Sequence, residues 1–126
     1  MLQKQEKKQE HLLRLIKGVN MIEIKINTKK FTVDITGHAE HGEKGEDIVC
    51  AAISALFYTL AESLNHSEKM LEAPFDFSEE DGNGHLSCKP KPEFEGNILL
   101  IYWTILNGFD LFAKQYKKNI KLLVVG

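Results

Sequence analysis

Gly37-His38-Ala39-Glu40-His41-Gly42-Glu43-Lys44-Gly45-Glu46-Asp47-Ile48-Val49-Cys50-Ala51-Ala52-Ile53-Ser54-Ala55-Leu56 is the stretch on which the reading of this chain turns. It passes from the end of an expected strand, through a glycine-punctuated loop, into the first turns of a strongly apolar helix. A histidine stands at one end of the loop and a cysteine just inside the helix. Helix N-termini present unpaired N–H groups and a partial positive charge. A thiol placed there has its thiolate favoured, and a histidine alongside can take the proton and so activate the nucleophile. The chemistry expected of the pair is that of a cysteine hydrolase with a Cys50–His38 dyad. The opposing reading is packing, because cysteine is among the most buried residue types and one in an Ala-rich helix commonly only fills space.

The neighbours of the pair have readable roles. Asp47 is a good N-cap, which would put Cys50 at the third helical position with the orphan N–H groups close by. Those N–H groups, that of Cys50 included, are then the expected oxyanion donors. Ser54 follows Cys50 by one turn on the same face. Its hydroxyl either hydrogen-bonds near the site or bonds back to the carbonyl of Cys50. Gly42 and Gly45 loosen the 39–46 segment, which reads as a lid over substrate or as a plain strand-to-helix connection.

Gly37-His38-Ala39, and then Gly45-Glu46-Asp47-Ile48-Val49-Cys50-Ala51-Ala52-Ile53-Ser54-Ala55-Leu56, resembles the signature of the bacterial ribosomal-processing cysteine proteases, the Prp family. The match is dense over 37–56, and a similar order of elements extends loosely over 21–126. The resemblance implies that His38 is the catalytic histidine and Cys50 the nucleophile. Asp47 and Ser54 match further signature positions, and Gly37 and Gly45 stand as supporting residues of the same motif. It also favours the lid reading, implies a homodimer, and implies a substrate. That substrate is the N-terminal extension of a large-subunit ribosomal protein, number twenty-seven, cut after a short hydrophobic motif. The competing class is a non-catalytic, ribosome-associated binding module. Rapid alkylation of Cys50 relative to Cys88 would separate the two.

Upstream of the motif the pattern has period two. Ile22, Ile24 and Ile26 alternate with polar residues, as do Phe31, Val33 and Ile35, and Asn27 to Lys30 form the turn between them. This hairpin delivers His38 to the end of its second strand. Downstream of Cys50 the helix is expected to reach Ser63 or Asn65. It is apolar nearly all round, which predicts burial on more than one side. A second hairpin turns at Asp81-Gly82-Asn83-Gly84 and is ended by Pro90 and Pro92. A long core helix follows, with Ile98, Tyr102, Ile105, Phe109, Phe112 and Tyr116 as its stripe, widened by Leu99 and Trp103. Asn107-Gly108 reads as a bend in it, and 119–125 as a short final strand. The fold class expected is α+β, a ββαββα sandwich whose mostly antiparallel sheet is covered by two main helices.

The whole chain bounds what remains. At 126 residues, 43% hydrophobic and 27% charged, it is sized for one ordinary globular domain. No apolar run was expected to span a bilayer, and the Lys/Gln-rich start is unlike a signal, so the expectation is a cytoplasmic protein without a membrane partner. Residues 1–20 carry net charge +3 and the remaining 106 residues −5. An acidic body argues against direct nucleic-acid binding and suits a basic protein substrate. Residues 1–20 read as an N-terminal extension, with a translated leader before a native start at Met21 as one origin; 21–126 form the protease-like domain. Neither a cofactor nor a metal is expected. His38 with His41, and His85 with Cys88, have zinc-like spacing, but strand residues three apart face opposite sides.

Overall fold

The computed structural model describes residues 21–37 and 44–126, with backbone only for 44–47. The N-terminal extension, His38, His41 and most of the expected lid therefore lie outside the described residues. The elements run β1 (Ile22–Asn27), β2 (Thr32–Thr36), α1 (Lys44–His66), β3 (Asp76–Glu80), β4 (Asn83–Ser87), α2 (Glu95–Gln115) and β5 (Ile120–Val125). Short 3-10 turns at Glu68–Met70 and Pro92–Phe94 precede β3 and α2. The α+β class and the ββαββα order with a terminal strand are as expected.

The sheet order is β3-β4-β2-β1-β5. All pairs are antiparallel except β1 with β5, where Ile22 lies beside Ile120 and Ile26 beside Val124. Strand alternation sends Ile22, Ile24, Ile26, Val33, Ile35, Leu86 and Ile120 to one face, where all are buried. Burying each such side chain is worth about 1.5–3 kcal/mol. Both helices pack on that face, giving two layers. Glu23, Lys25, Asp34 and His85 occupy the other face.

Turn chemistry sets both hairpins. In the first, Asn27 Oδ1 accepts the N–H groups of Lys29 and Lys30 at 3.0 and 2.9 Å, an Asx-type turn. Phe31 leaves it at φ 56°, a costly conformation for a residue with a Cβ. Tyr102 holds it there, ring edge to face at 5.5 Å with its hydroxyl donating to the Phe31 carbonyl at 2.7 Å. In the second hairpin Asp81 and Gly82 take φ 52° and 76°, the pair of left-handed residues a two-residue hairpin turn requires.

The helices depart from expectation in three ways. Within the chain α1 buries one stripe, through Val49, Cys50, Ile53, Phe57, Leu60 and Leu64, while Ile48 is 63% exposed. Trp103, read as widening the core stripe of α2, is 45% exposed and shares the outer side with Leu100 and Leu111. α2 runs unbroken through Gly108. A Cβ there would lie 2.7 Å from Leu56 Cδ2, so the glycine serves the close approach of α1. Lastly, both helices are long and apolar enough to cross a bilayer by length and composition, against the expectation that no run was. Their buried stripes pack on the sheet, the arrangement in which core helices meet the same measure.

Candidate functional site

β2 ends at Thr36, and Gly37 turns the chain at φ 78°, a backbone conformation that favours glycine. The strand thus delivers the chain to the position of His38, which is beyond the described residues. The chain re-enters description at Lys44, already helical. Residues 44–46, expected in the loop, therefore belong to α1, and Asp47 lies inside its first turn instead of capping it.

This moves the nucleophile candidate deeper than expected. Cys50 is the seventh residue of α1 and not the third. A helix terminus acts electrostatically over about its first turn, so the helix end does little for a thiol at the seventh position. The N–H of the seventh residue also falls where helix N–H groups bond to the carbonyl four residues back. Cys50's own N–H is therefore withdrawn as an oxyanion donor.

The side chain of Cys50 is 7% exposed and packs with the core between Val49 and Ile53. One turn on, half-buried Ser54 opens onto a cleft of about 280 Å³ between α1 and the β3–β4 hairpin. Phe57 and Tyr58 continue the same side of α1 into that cleft, and Ile35, Glu79 and Gly84 line it from the sheet. The absence of a Cβ at Gly84 is required, since one would stand 2.8 Å from the Phe57 ring. Phe57 stacks on Phe77 at 5.2 Å, and the Tyr58 ring lies 6.0 Å from Phe77. The Tyr58 hydroxyl donates to Glu79, and that hydrogen bond, with burial and the carboxylate charge adding, raises the tyrosine pKa. Sequence reading singled out Ser54 but not Phe57, Tyr58, Phe77 or Glu79. Their signal was the helical spacing from Cys50 and the strand parity of Phe77 with Glu79.

The second cysteine and the described histidine near it do not form a site together. His85 Nδ1 lies 2.6 Å from Asp34 Oδ1 on the open face of the sheet. Cys88 packs against the core, with its Sγ 3.4 Å from the Tyr102 hydroxyl. Burial pushes the Cys88 thiol up, and the Tyr102 hydrogen bond only partly opposes it. A thiol held protonated is a poor nucleophile. Neither cysteine is in a disulfide, and among the described residues no three His, Cys, Asp or Glu converge as metal ligands.

The family model described as cysteine protease Prp matches residues 21–121. The ribosomal processing cysteine protease Prp of Staphylococcus aureus (strain Mu50 / ATCC 700699) is 30% identical over 103 residues, 80% of this chain and 94% of that one. A crystal structure of the essential S. aureus ribosomal processing protease Prp with a substrate peptide superimposes at a TM-score of 0.62. It is 27% identical, over 82% of this chain and 97% of that chain. The structure of SMU.848 from Streptococcus mutans aligns at a TM-score of 0.66 and 24% identity, over 86% of this chain and 97% of that one, and shares the fold.

Proposed function

The chain belongs to the cysteine protease Prp family, and on that premise we propose that it is a thiol endopeptidase of ribosome maturation, with Cys50 as nucleophile and His38 as base. The observation that carries the assignment is the contrast between the two thiols. Cys50, itself buried, lies one helical turn before Ser54, which lines the cleft between α1 and the second hairpin, whereas Cys88 lies away from that cleft with its thiol against the Tyr102 hydroxyl.

The reaction is peptide-bond hydrolysis in two steps. The sulfur of Cys50 bonds to the scissile carbonyl carbon as His38 takes the thiol proton. The C–N bond then breaks, His38 returns that proton to the leaving amine, and a thioester remains. Water, deprotonated by His38, attacks the thioester, releasing the acid product and regenerating the thiol. Covalent catalysis is supported by the S. aureus relative, solved with a covalently linked product peptide. Gly37 sets the direction in which the chain leaves β2 toward His38, Ser54 contributes a hydroxyl beside the nucleophile, and Asp47 and Gly45 shape the helix start.

The substrate proposed is the N-terminal extension of large-subunit ribosomal protein number twenty-seven, cut after its hydrophobic motif. The S. aureus relative is named for ribosomal processing, and the acidic body of this chain complements a basic ribosomal protein. The site of action proposed is the cytoplasm. Exposed Leu100, Trp103 and Leu111 on α2 support a homodimer, read by light scattering. Incubation with the extended ribosomal protein, followed by mass spectrometry of the product N-terminus, tests the reading. Cleavage by the wild type and none by Cys50→Ala is expected. An uncleaved substrate, or cleavage by Cys50→Ala at the wild-type rate, overturns it.

A further inference from the structure

We infer that Glu79, oriented by Tyr58, is a specificity-determining residue that selects peptides carrying a lysine or arginine three or four residues from the scissile bond. The inference deepens the protease reading and rests on it. Tyr58 follows Cys50 by eight residues, about 12 Å along the axis of α1. An extended peptide advances about 3.4 Å per residue. A chain laid along α1 with its scissile carbonyl at Cys50 therefore reaches Tyr58 three or four residues away.

What it meets there has two parts. Tyr58 and Phe77, both exposed, form a continuous aromatic surface backed by the buried Phe57 ring. At its edge is the carboxylate of Glu79, to which the Tyr58 hydroxyl donates. A carboxylate offers about four acceptor positions, so the tyrosine fixes its direction and leaves it able to take a second donor. The raised pKa of Tyr58 keeps that hydroxyl protonated as the donor. Long cationic side chains fit such a slot, with their methylene stems over rings and their charge at the carboxylate. Asp81, in the turn that lines the same cleft, adds negative potential. Gly82 and Gly84 keep side chains out of it. A peptide acid at this point is repelled, and a purely apolar residue leaves the carboxylate without a cationic partner.

The test uses the full chain and peptide sets that differ at one position. Lysine, norleucine or glutamate is placed three, then four, residues from the cleaved bond on either side, and kcat/KM ratios are measured. At one of these positions wild type is expected to favour lysine over norleucine by about two- to fivefold, the range for a solvent-accessible pair. Glu79→Gln brings that ratio to near one, and Glu79→Lys turns the preference to glutamate. Asp110→Asn, on α2 and paired with Lys114, leaves the ratio at its wild-type value. A lysine preference unchanged in Glu79→Gln, or equal rates for all three peptides at every position, overturns the inference while the protease reading stands. Failure to cleave any peptide or the extended ribosomal protein removes both.

Discussion

His85 and Cys88 stand three residues apart and turn to opposite sides of the sheet. The imidazole meets Asp34 on the open face and the thiol meets Tyr102 on the helix side. This geometry separates the chain's second cysteine from the described histidine beside it in sequence, and it yields two predictions about which thiol and which imidazole act.

Iodoacetamide at neutral pH is expected to alkylate Cys50 well before Cys88. The Cys88 pKa is raised above its ordinary value of 9.0, chiefly by burial, so its thiolate is scarce at pH 7 and grows only as pH climbs past that value. Peptide mapping after timed labelling reads both rates. Labelling of Cys88 first would count against Cys50 as the nucleophile.

His85→Ala should cleave substrate at close to the wild-type rate and lose less than about 1 kcal/mol of stability, since the pair with Asp34 is half-exposed. His38→Ala should lose most activity and keep the fold, by loss of the base. Activity assays with circular dichroism check both, and loss of cleavage in His85→Ala alone would move the catalytic imidazole to the open face.

Gly84→Ala should destabilise by about 1–3 kcal/mol, the range for overpacking a well-packed site. Its Cβ would sit 2.8 Å from the Phe57 ring and push that ring, or α1, off the hairpin. The same displacement narrows the cleft, so KM should rise as well. Chemical denaturation and steady-state kinetics measure the two effects.

Tyr102→Phe should cost about 0.5–1.5 kcal/mol, because the buried Phe31 carbonyl loses one of its two donors and keeps the N–H of Cys88. In the wild type, burial with the neighbouring Cys88 raises the Tyr102 pKa far above its ordinary value of 10.0. The unfolded chain releases that proton near pH 10 and the folded chain does not. Stability is therefore held below pH 10 and falls above it, by up to about 1.4 kcal/mol per pH unit. The phenylalanine variant should start lower and lose less across pH 10–11 in urea titrations.

Much of this fold was legible because its signals are local. The isoleucine alternation of β1 and Asp81-Gly82 announce two hairpins, and the stripe from Ile98 to Phe109 announces a helix, since backbone geometry alone fixes those periods. The motif linking His38, Asp47, Cys50 and Ser54 was equally plain. Tertiary structure alone settled the rest. No local pattern states that β5 lies parallel to β1 or that β4 pairs with β2, because those registers come from contacts far apart in sequence. The start of α1 at Lys44 lies three residues before Asp47, the residue whose chemistry best suits a cap, which is why Cys50 was placed too near the helix end. Trp103 sits beside true core positions on the helical wheel, and only the sheet's position decides which flank is covered. The cleft of Tyr58 and Glu79 exists because α1 crosses the second hairpin, and a sequence holds those residues 21 apart with nothing between them to say that they meet.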